Sequence, residues 1–108
     1  GDEWGQLRSL LKDMKWLARD TSTAVLVLHH TSEGISVTGP AAPPRSALQG
    51  KVAQTAALVL TVANHDEGSM YVCAVKNRYG PASPSGTDVT RLLYRPQSMF
   101  VADPSEGR

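Results

Sequence analysis

The sequence predicts a small α/β fold in which a helix and buried parallel strands precede an antiparallel hairpin and a C-terminal strand. Three observations predict it: a helical spacing of apolar residues near the N-terminus, two short continuous apolar runs, and a turn cluster between two later strand patterns. The chain has 108 residues, which is enough for one domain with one modest core.

The first element is an amphipathic helix. Its apolar residues recur at steps of three and four, and Leu10 and Leu17 widen a stripe formed by Trp4, Leu7, Leu11, Met14 and Ala18. The opposite face carries four cations, Arg8, Lys12, Lys15 and Arg19. Such a stripe suits a nucleic-acid backbone or a neighbouring subunit, and it is equally typical of a solvated helix face.

A buried strand is predicted next, over Ala24 to Leu28, because a short continuous apolar run is typical of strands in parallel sheets. His29 and His30 follow it and point to opposite faces if the strand continues. The loop from Thr31 to Arg45 is rich in glycine and proline. Ligands of open α/β sheets bind beyond the carboxyl ends of the strands, which is where this loop begins.

The remaining elements follow from turn and capping signals. Ser46 begins a capping-box pattern, Pro96 ends the last strand, and the tail lacks apolar periodicity. The predicted elements are a helix over residues 47–55, a second buried strand over 57–62, a hairpin strand over 70–78, a final strand over 87–94 and a flexible tail over 102–108.

Lys76 and Arg78 are the sharpest candidate pair. At positions i and i+2 of a strand they share one face, and two long cations side by side suit a polyphosphate. The alternative is an exposed strand with solubilising charges. Cys73 is predicted on the opposite face as a small buried residue.

Composition excludes several classes of protein. A single cysteine excludes an intramolecular disulfide, and the three histidines add no cysteine-based zinc site, so no metal is expected. No apolar run approaches the roughly 20 residues of a membrane span, and no secretory signal is visible, so we expect a cytoplasmic protein without a membrane partner. The net charge of +1 names no partner. The chain begins without an initiator methionine, which indicates a piece of a longer protein.

Several motifs, in order, resemble the RecA-like ATPase core of DnaB/RepA-type hexameric helicases. Residues 25–31 read Val-Leu-Val-Leu-His-His-Thr, residues 45–50 read Arg-Ser-Ala-Leu-Gln-Gly, and residues 76–81 read Lys-Asn-Arg-Tyr-Gly-Pro. These are similar to the family's strand ending in His-His-Thr, its helix start after a variable loop, and its Lys-x-Arg-x-Gly-Pro motif. The resemblance covers residues 1–101 and implies the C-terminal part of that domain.

The resemblance implies a role for each matched residue. His30 would sense the γ-phosphate of ATP, and Lys76 and Arg78 would reach the ATP of a neighbouring subunit in a homo-oligomeric ring, expected to be a hexamer. The loop would face single-stranded DNA through Ser36, Thr38 and Arg45. An arginine supplied by a neighbouring subunit can raise the rate of phosphoryl transfer by about 10³–10⁵-fold.

The sequence also departs from the family. Ala57 stands where the family often has aspartate, no lysine precedes Arg45 in the loop, and the phosphate-binding P-loop and the Mg²⁺-holding aspartate are absent. The complete protein would therefore use ATP and Mg²⁺, whereas this chain alone is expected to bind neither and to be inactive. The alternatives are a non-helicase RecA- or KaiC-like ATPase and a free-standing, non-enzymatic binding module.

Overall fold

The N-terminal element is a long helix, as predicted. A computed structural model describes residues 3–31, 37–48, 53–64 and 68–104, and in it helix α1 spans Glu3–Thr21. The helix ends where Ser22 adopts a left-handed conformation with φ of 53°. There the Thr21 hydroxyl donates to the Leu17 carbonyl oxygen at 2.7 Å.

Four strands form one antiparallel sheet in the order β1-β2-β3-β4. Strand β1 spans Leu58–Ala63, β2 spans Ser69–Asn77, β3 spans Thr90–Arg95 and β4 spans Phe100–Ala102. The hairpin of β1 and β2 and the later strand β3 were predicted, whereas β4 was not. The described residues therefore form a small mixed α/β domain built from α1 and an antiparallel sheet.

The core lies on one face of β2. Cys73 and Val75 are fully buried there together with Ala42, and Val59 and Val89 pack against them. Burial alternates along β2, as expected for a strand with one covered face.

A loop segment rather than a helix covers this face. This loop segment consists of residues 41–48 and includes a 3₁₀ turn at Arg45–Ala47. The amide of Ala42 donates to the carbonyl oxygen of Gly86 at 2.9 Å. The buried hydroxyl of Thr61 donates to the carbonyl oxygen of Pro43 at 2.6 Å, so this carbonyl oxygen has a partner in the sheet.

The predicted strand over residues 24–28 is wrong. Residues 23–31 contain no helix or strand, and every side chain from Val25 to Leu28 is exposed. A strand that is apolar on both faces needs a neighbour beside it and cover on each face. Within the described residues no strand pairs with it, and every strand pairing in the sheet is antiparallel. The expectation of buried parallel strands is therefore corrected.

Two further predictions need correction. The predicted helix over residues 47–55 does not begin where expected, because Leu48 has an extended backbone after the 3₁₀ turn. Residues 49–52 of that prediction lie outside the described residues. Strand β1 is not buried on both faces, since Leu58, Leu60 and Val62 on its outer face are about half exposed. A strand at the edge of a single sheet with cover on one side alternates in this way.

The predicted flexible tail begins inside the sheet. Strand β4 pairs Ala102 with Leu93, which brings the first residue of the predicted flexible tail into the sheet. Residues 105–108 of that tail lie outside the described residues. Among the helices that the structure describes, none is long and apolar enough to cross a membrane.

Candidate functional site

A basic cleft lies between α1 and the C-terminal end of β2. It has a volume of about 830 Å³ and is open to solvent. Five of its lining residues are cations: Arg8, Lys12, Lys15, Arg19 and Arg78. Its other lining residues are Trp16, Gln54, Thr55 and Tyr79, so no acidic side chain of the described residues lines it. We call this region the basic cleft.

The helix supplies four of the five cations because of their spacing. Steps of four, three and four residues place them on one face of α1. The Arg19 guanidinium lies 5.4 Å from the centre of the Trp16 ring, within the range of a cation–π contact. The basic stripe recognised in the sequence therefore faces a cleft, with an aromatic ring among its charges.

The end of β2 supplies the opposite wall. The amide of Arg78 donates to the carbonyl oxygen of Ala57 at 2.8 Å, which holds the chain beside β1 as the strand ends. The amide of Tyr79 donates to the side-chain oxygen of Asn77 at 3.1 Å, which fixes the following turn. Both side chains remain exposed, and Tyr79 is 84% accessible.

Lys76 has different surroundings from Arg78. Its ammonium group donates to the carbonyl oxygens of Ala53 and Gln54, both at 2.8 Å. Burial lowers the pKa of Lys76, and the nearby charges of Arg45, Arg78 and Lys15 lower this pKa further. Lys76 thus ties the segment before β1 to the sheet, and only Arg78 of the predicted pair lines the basic cleft.

A β-bulge changes the face of β2 on which Lys76 lies. The register between β1 and β2 shifts by one residue, so that Thr61 lies opposite Cys73 and Val59 lies opposite Lys76. Opposed residues of a ladder share a face, so Lys76 lies on the same face as Cys73, contrary to the predicted alternation. A bulge of this kind leaves no clear signal in a single sequence.

The other predicted site residues lie elsewhere. His30 is exposed in the irregular segment after α1. Thr38 is exposed, and Arg45 begins the 3₁₀ turn, where its amide donates to the carbonyl oxygen of Pro84 at 2.8 Å. Ser36 lies outside the described residues. None of the three described residues lines the basic cleft.

The basic cleft is chemically suited to a polyanion. Cations gathered along low-dielectric walls raise the local concentration of negatively charged ligands. Exposed aromatic rings among the cations add flat apolar surfaces for stacking. Sequence reasoning missed Trp16 and Tyr79, although each follows a cation of the cleft directly, at Lys15 and Arg78. Among the described residues, no cluster of three or more metal-ligating side chains is present.

Comparison with known proteins finds relatives in two phages. The chain is similar to the Gene 65 protein of Mycobacterium phage D29, with 32% identity over 106 residues that cover 94% of this chain and 45% of the relative. It is also similar to the Gene 65 protein of Mycobacterium phage L5, with 29% identity over 106 residues that cover 94% of this chain and 39% of the relative. The chain spans less than half the length of these curated relatives. No protein-family profile and no solved structure matches it.

Proposed function

We propose that this chain is the C-terminal part of a RecA-like ATPase core that acts on DNA as a ring-shaped helicase of the DnaB/RepA type. The observation that carries the proposal is Arg78, an exposed guanidinium at the end of a strand, in a cleft lined by four further cations and no described carboxylate. In this proposal Arg78 reaches the ATP of a neighbouring subunit and stabilises the charge of the transition state.

The exposed apolar run after α1 supports the same proposal. Leu26 and Leu28 are each 88% exposed, and the outer face of β1 is half exposed beside an unpaired strand edge within the described sheet. A run of exposed apolar residues of this kind is typical of a site of contact. We propose that residues 24–28 pair with further strands of the complete RecA-like sheet, where His30 would follow the strand and sense the γ-phosphate.

Lys76 takes a modified role in this proposal. Reaching a neighbouring nucleotide would require it to release the carbonyl oxygens of Ala53 and Gln54. We therefore assign Lys76 to positioning the strand end that carries Arg78. ATP and Mg²⁺ would bind the complete protein in the cytoplasm of its host cell, and the loop with Ser36, Thr38 and Arg45 would face single-stranded DNA.

A non-enzymatic binding module is the second candidate. The observation in its favour is that the sheet and the basic cleft are formed from this chain alone, with no parallel strand in the described residues. Under this alternative the cations hold a polyanion and no nucleotide is hydrolysed.

A RecA- or KaiC-like ATPase without helicase activity shares the leading proposal's nucleotide chemistry and differs only in lacking strand displacement.

The proposal is tested by ATP hydrolysis in the natural full-length protein that carries this chain. Arg78→Ala is expected to lower single-stranded-DNA-stimulated turnover by about 10³-fold or more, with nucleotide binding nearly unchanged. Arg95→Ala, which removes an exposed arginine outside the cleft, is the matched control and should leave turnover unchanged. Wild-type turnover by Arg78→Ala would contradict the trans-acting role. Strand displacement separates the helicase from the other ATPases.

A further inference from the structure

We infer that the basic cleft binds the backbone of a single-stranded nucleic acid, with Trp16 and Tyr79 as stacking surfaces for its bases. This surface is separate from the loop that the resemblance assigns to DNA, because the cleft is built mainly from α1. The inference concerns this chain without nucleotide, and it does not depend on an ATPase activity.

Charge is the first argument. The whole chain is nearly neutral, with 11 basic and 10 acidic residues, yet five of the basic residues line one cleft. Lys12 and Lys15 form no ion pair with a described carboxylate and are exposed. Cations that are concentrated in this way are suited to phosphates, whose binding releases condensed counterions.

The aromatic side chains are the second argument, and they favour a single strand over a duplex. Trp16 is 60% exposed and Tyr79 is 84% exposed, although both carry large apolar rings. They belong to opposite walls of the cleft, one to α1 and one to the end of β2. Unpaired bases stack on such rings, whereas the bases of a duplex are already stacked on each other.

The length of the cationic row indicates a strand rather than one nucleotide. Arg8 and Arg19 are eleven residues apart on α1, which corresponds to about 16 Å along the helix axis at 1.5 Å per residue. A stacked strand advances about 3.4 Å per nucleotide, so this row spans about five nucleotides. That length falls within the range of about 4–16 nucleotides known for single-strand sites on small domains.

The first experiment measures binding of a labelled oligothymidine of about 12 nucleotides by fluorescence anisotropy, without ATP or Mg²⁺, across a series of salt concentrations. Contacts from five cations predict a slope of log K against log salt of about −3.5. Changing both Lys12→Gln and Lys15→Gln should make the slope shallower by about 1.4 and weaken binding at every salt concentration. Arg95→Gln should change neither.

The second experiment tests stacking with a matched pair on the same helix. Trp16→Ala should weaken oligothymidine binding about tenfold. Leu17→Ala is the control, because Leu17 is similarly exposed and does not line the cleft. Quenching of Trp16 fluorescence, measured in a Trp4→Phe background, reports direct contact with bases. Circular dichroism shows whether each variant keeps α1.

Several outcomes overturn the inference. A salt slope that the two lysine changes leave unaltered would remove the cleft from the binding surface. If Thr38→Ala or Arg45→Ala abolished binding while changes at Lys12, Lys15 and Trp16 had no effect, the nucleic acid would bind the loop and not the basic cleft. If free ATP bound as tightly as the oligothymidine, the ligand of the cleft would be a single nucleotide. If an acidic peptide bound as tightly, the cleft would be a protein-docking surface. Because the α1 variants leave Arg78 unchanged, these results are independent of the ATPase test.

Discussion

The two halves of the described chain differ in how their apolar residues are covered. The sheet half buries Tyr71, Cys73 and Val75 along one face of β2, and Ala42 of the loop segment packs with Cys73 and Val75. Across residues 3–31, by contrast, no described side chain is buried. Antiparallel hairpins pair neighbours along the chain, whereas parallel strands depend on distant segments, and no described strand pairs with residues 24–28.

The largest expected effect is at Gly86, where the loop segment meets the turn before β3. Gly86 has φ of 80°, and a Cβ there would collide with the carbonyl group of Ala42. Both atoms belong to backbone that is already joined by a hydrogen bond, so neither can move freely. Gly86→Ala is expected to lower the free energy of unfolding by about 3 kcal/mol or more, measured by urea denaturation.

Gly68 provides the matched control for this prediction. It has φ of 79°, nearly the same as Gly86, but a Cβ there meets no atom within 4 Å. Gly68→Ala should therefore cost only the left-handed conformation, about 1–2 kcal/mol. An equal loss of unfolding free energy at the two glycines would show that the loop segment does not pack closely against this turn. That result would weaken the comparison between a covered and an uncovered half.

A smaller effect is expected from the hydrogen bond between the sheet and the covering segment. Thr61→Val preserves the shape of the buried side chain but leaves the Pro43 carbonyl oxygen without its 2.6 Å donor. The expected cost is about 1–3 kcal/mol of unfolding free energy. Thr90→Val is the control, because it makes the same change in strand propensity at an exposed position of β3. It should change the unfolding free energy by no more than about 0.5 kcal/mol. A stable Thr61→Val variant would mean that the segment is held by other contacts.

Local patterns were sufficient to predict α1 and the strands β1, β2 and β3. The helix has its own apolar period, and β1 and β2 are separated by a short turn cluster ending in Gly68, so their signals lie within a few residues. The run over residues 24–28 has an equally clear apolar signal but formed no strand. Its composition is typical of a buried strand, but a strand also needs a neighbour to pair with, and composition carries no information about such a neighbour.

The candidate site was predicted only in part, for a similar reason. The four cations of α1 and Arg78 were recognised separately, since each follows from spacing on its own element. Their meeting in one cleft depends on where α1 lies relative to the end of β2, which periodicity does not encode. The bulge that turns Lys76 toward the Ala53 and Gln54 carbonyls was equally invisible, because one shifted ladder position reverses strand parity.

The smallest expected effect is at Leu26, and it separates the two proposed functions. Because Leu26 is 88% exposed, Leu26→Ser should change the unfolding free energy of this chain by no more than about 0.5 kcal/mol. In the natural full-length protein, a RecA-like sheet would bury the same side chain, and the loss of unfolding free energy should rise to about 2 kcal/mol or more.

Leu17→Ser, on the exposed side of α1, controls for the loss of an apolar group outside the proposed strand. Thermal or urea denaturation of both proteins gives the comparison. An equally small cost in the full-length protein would leave residues 24–28 without a strand partner and favour the binding module.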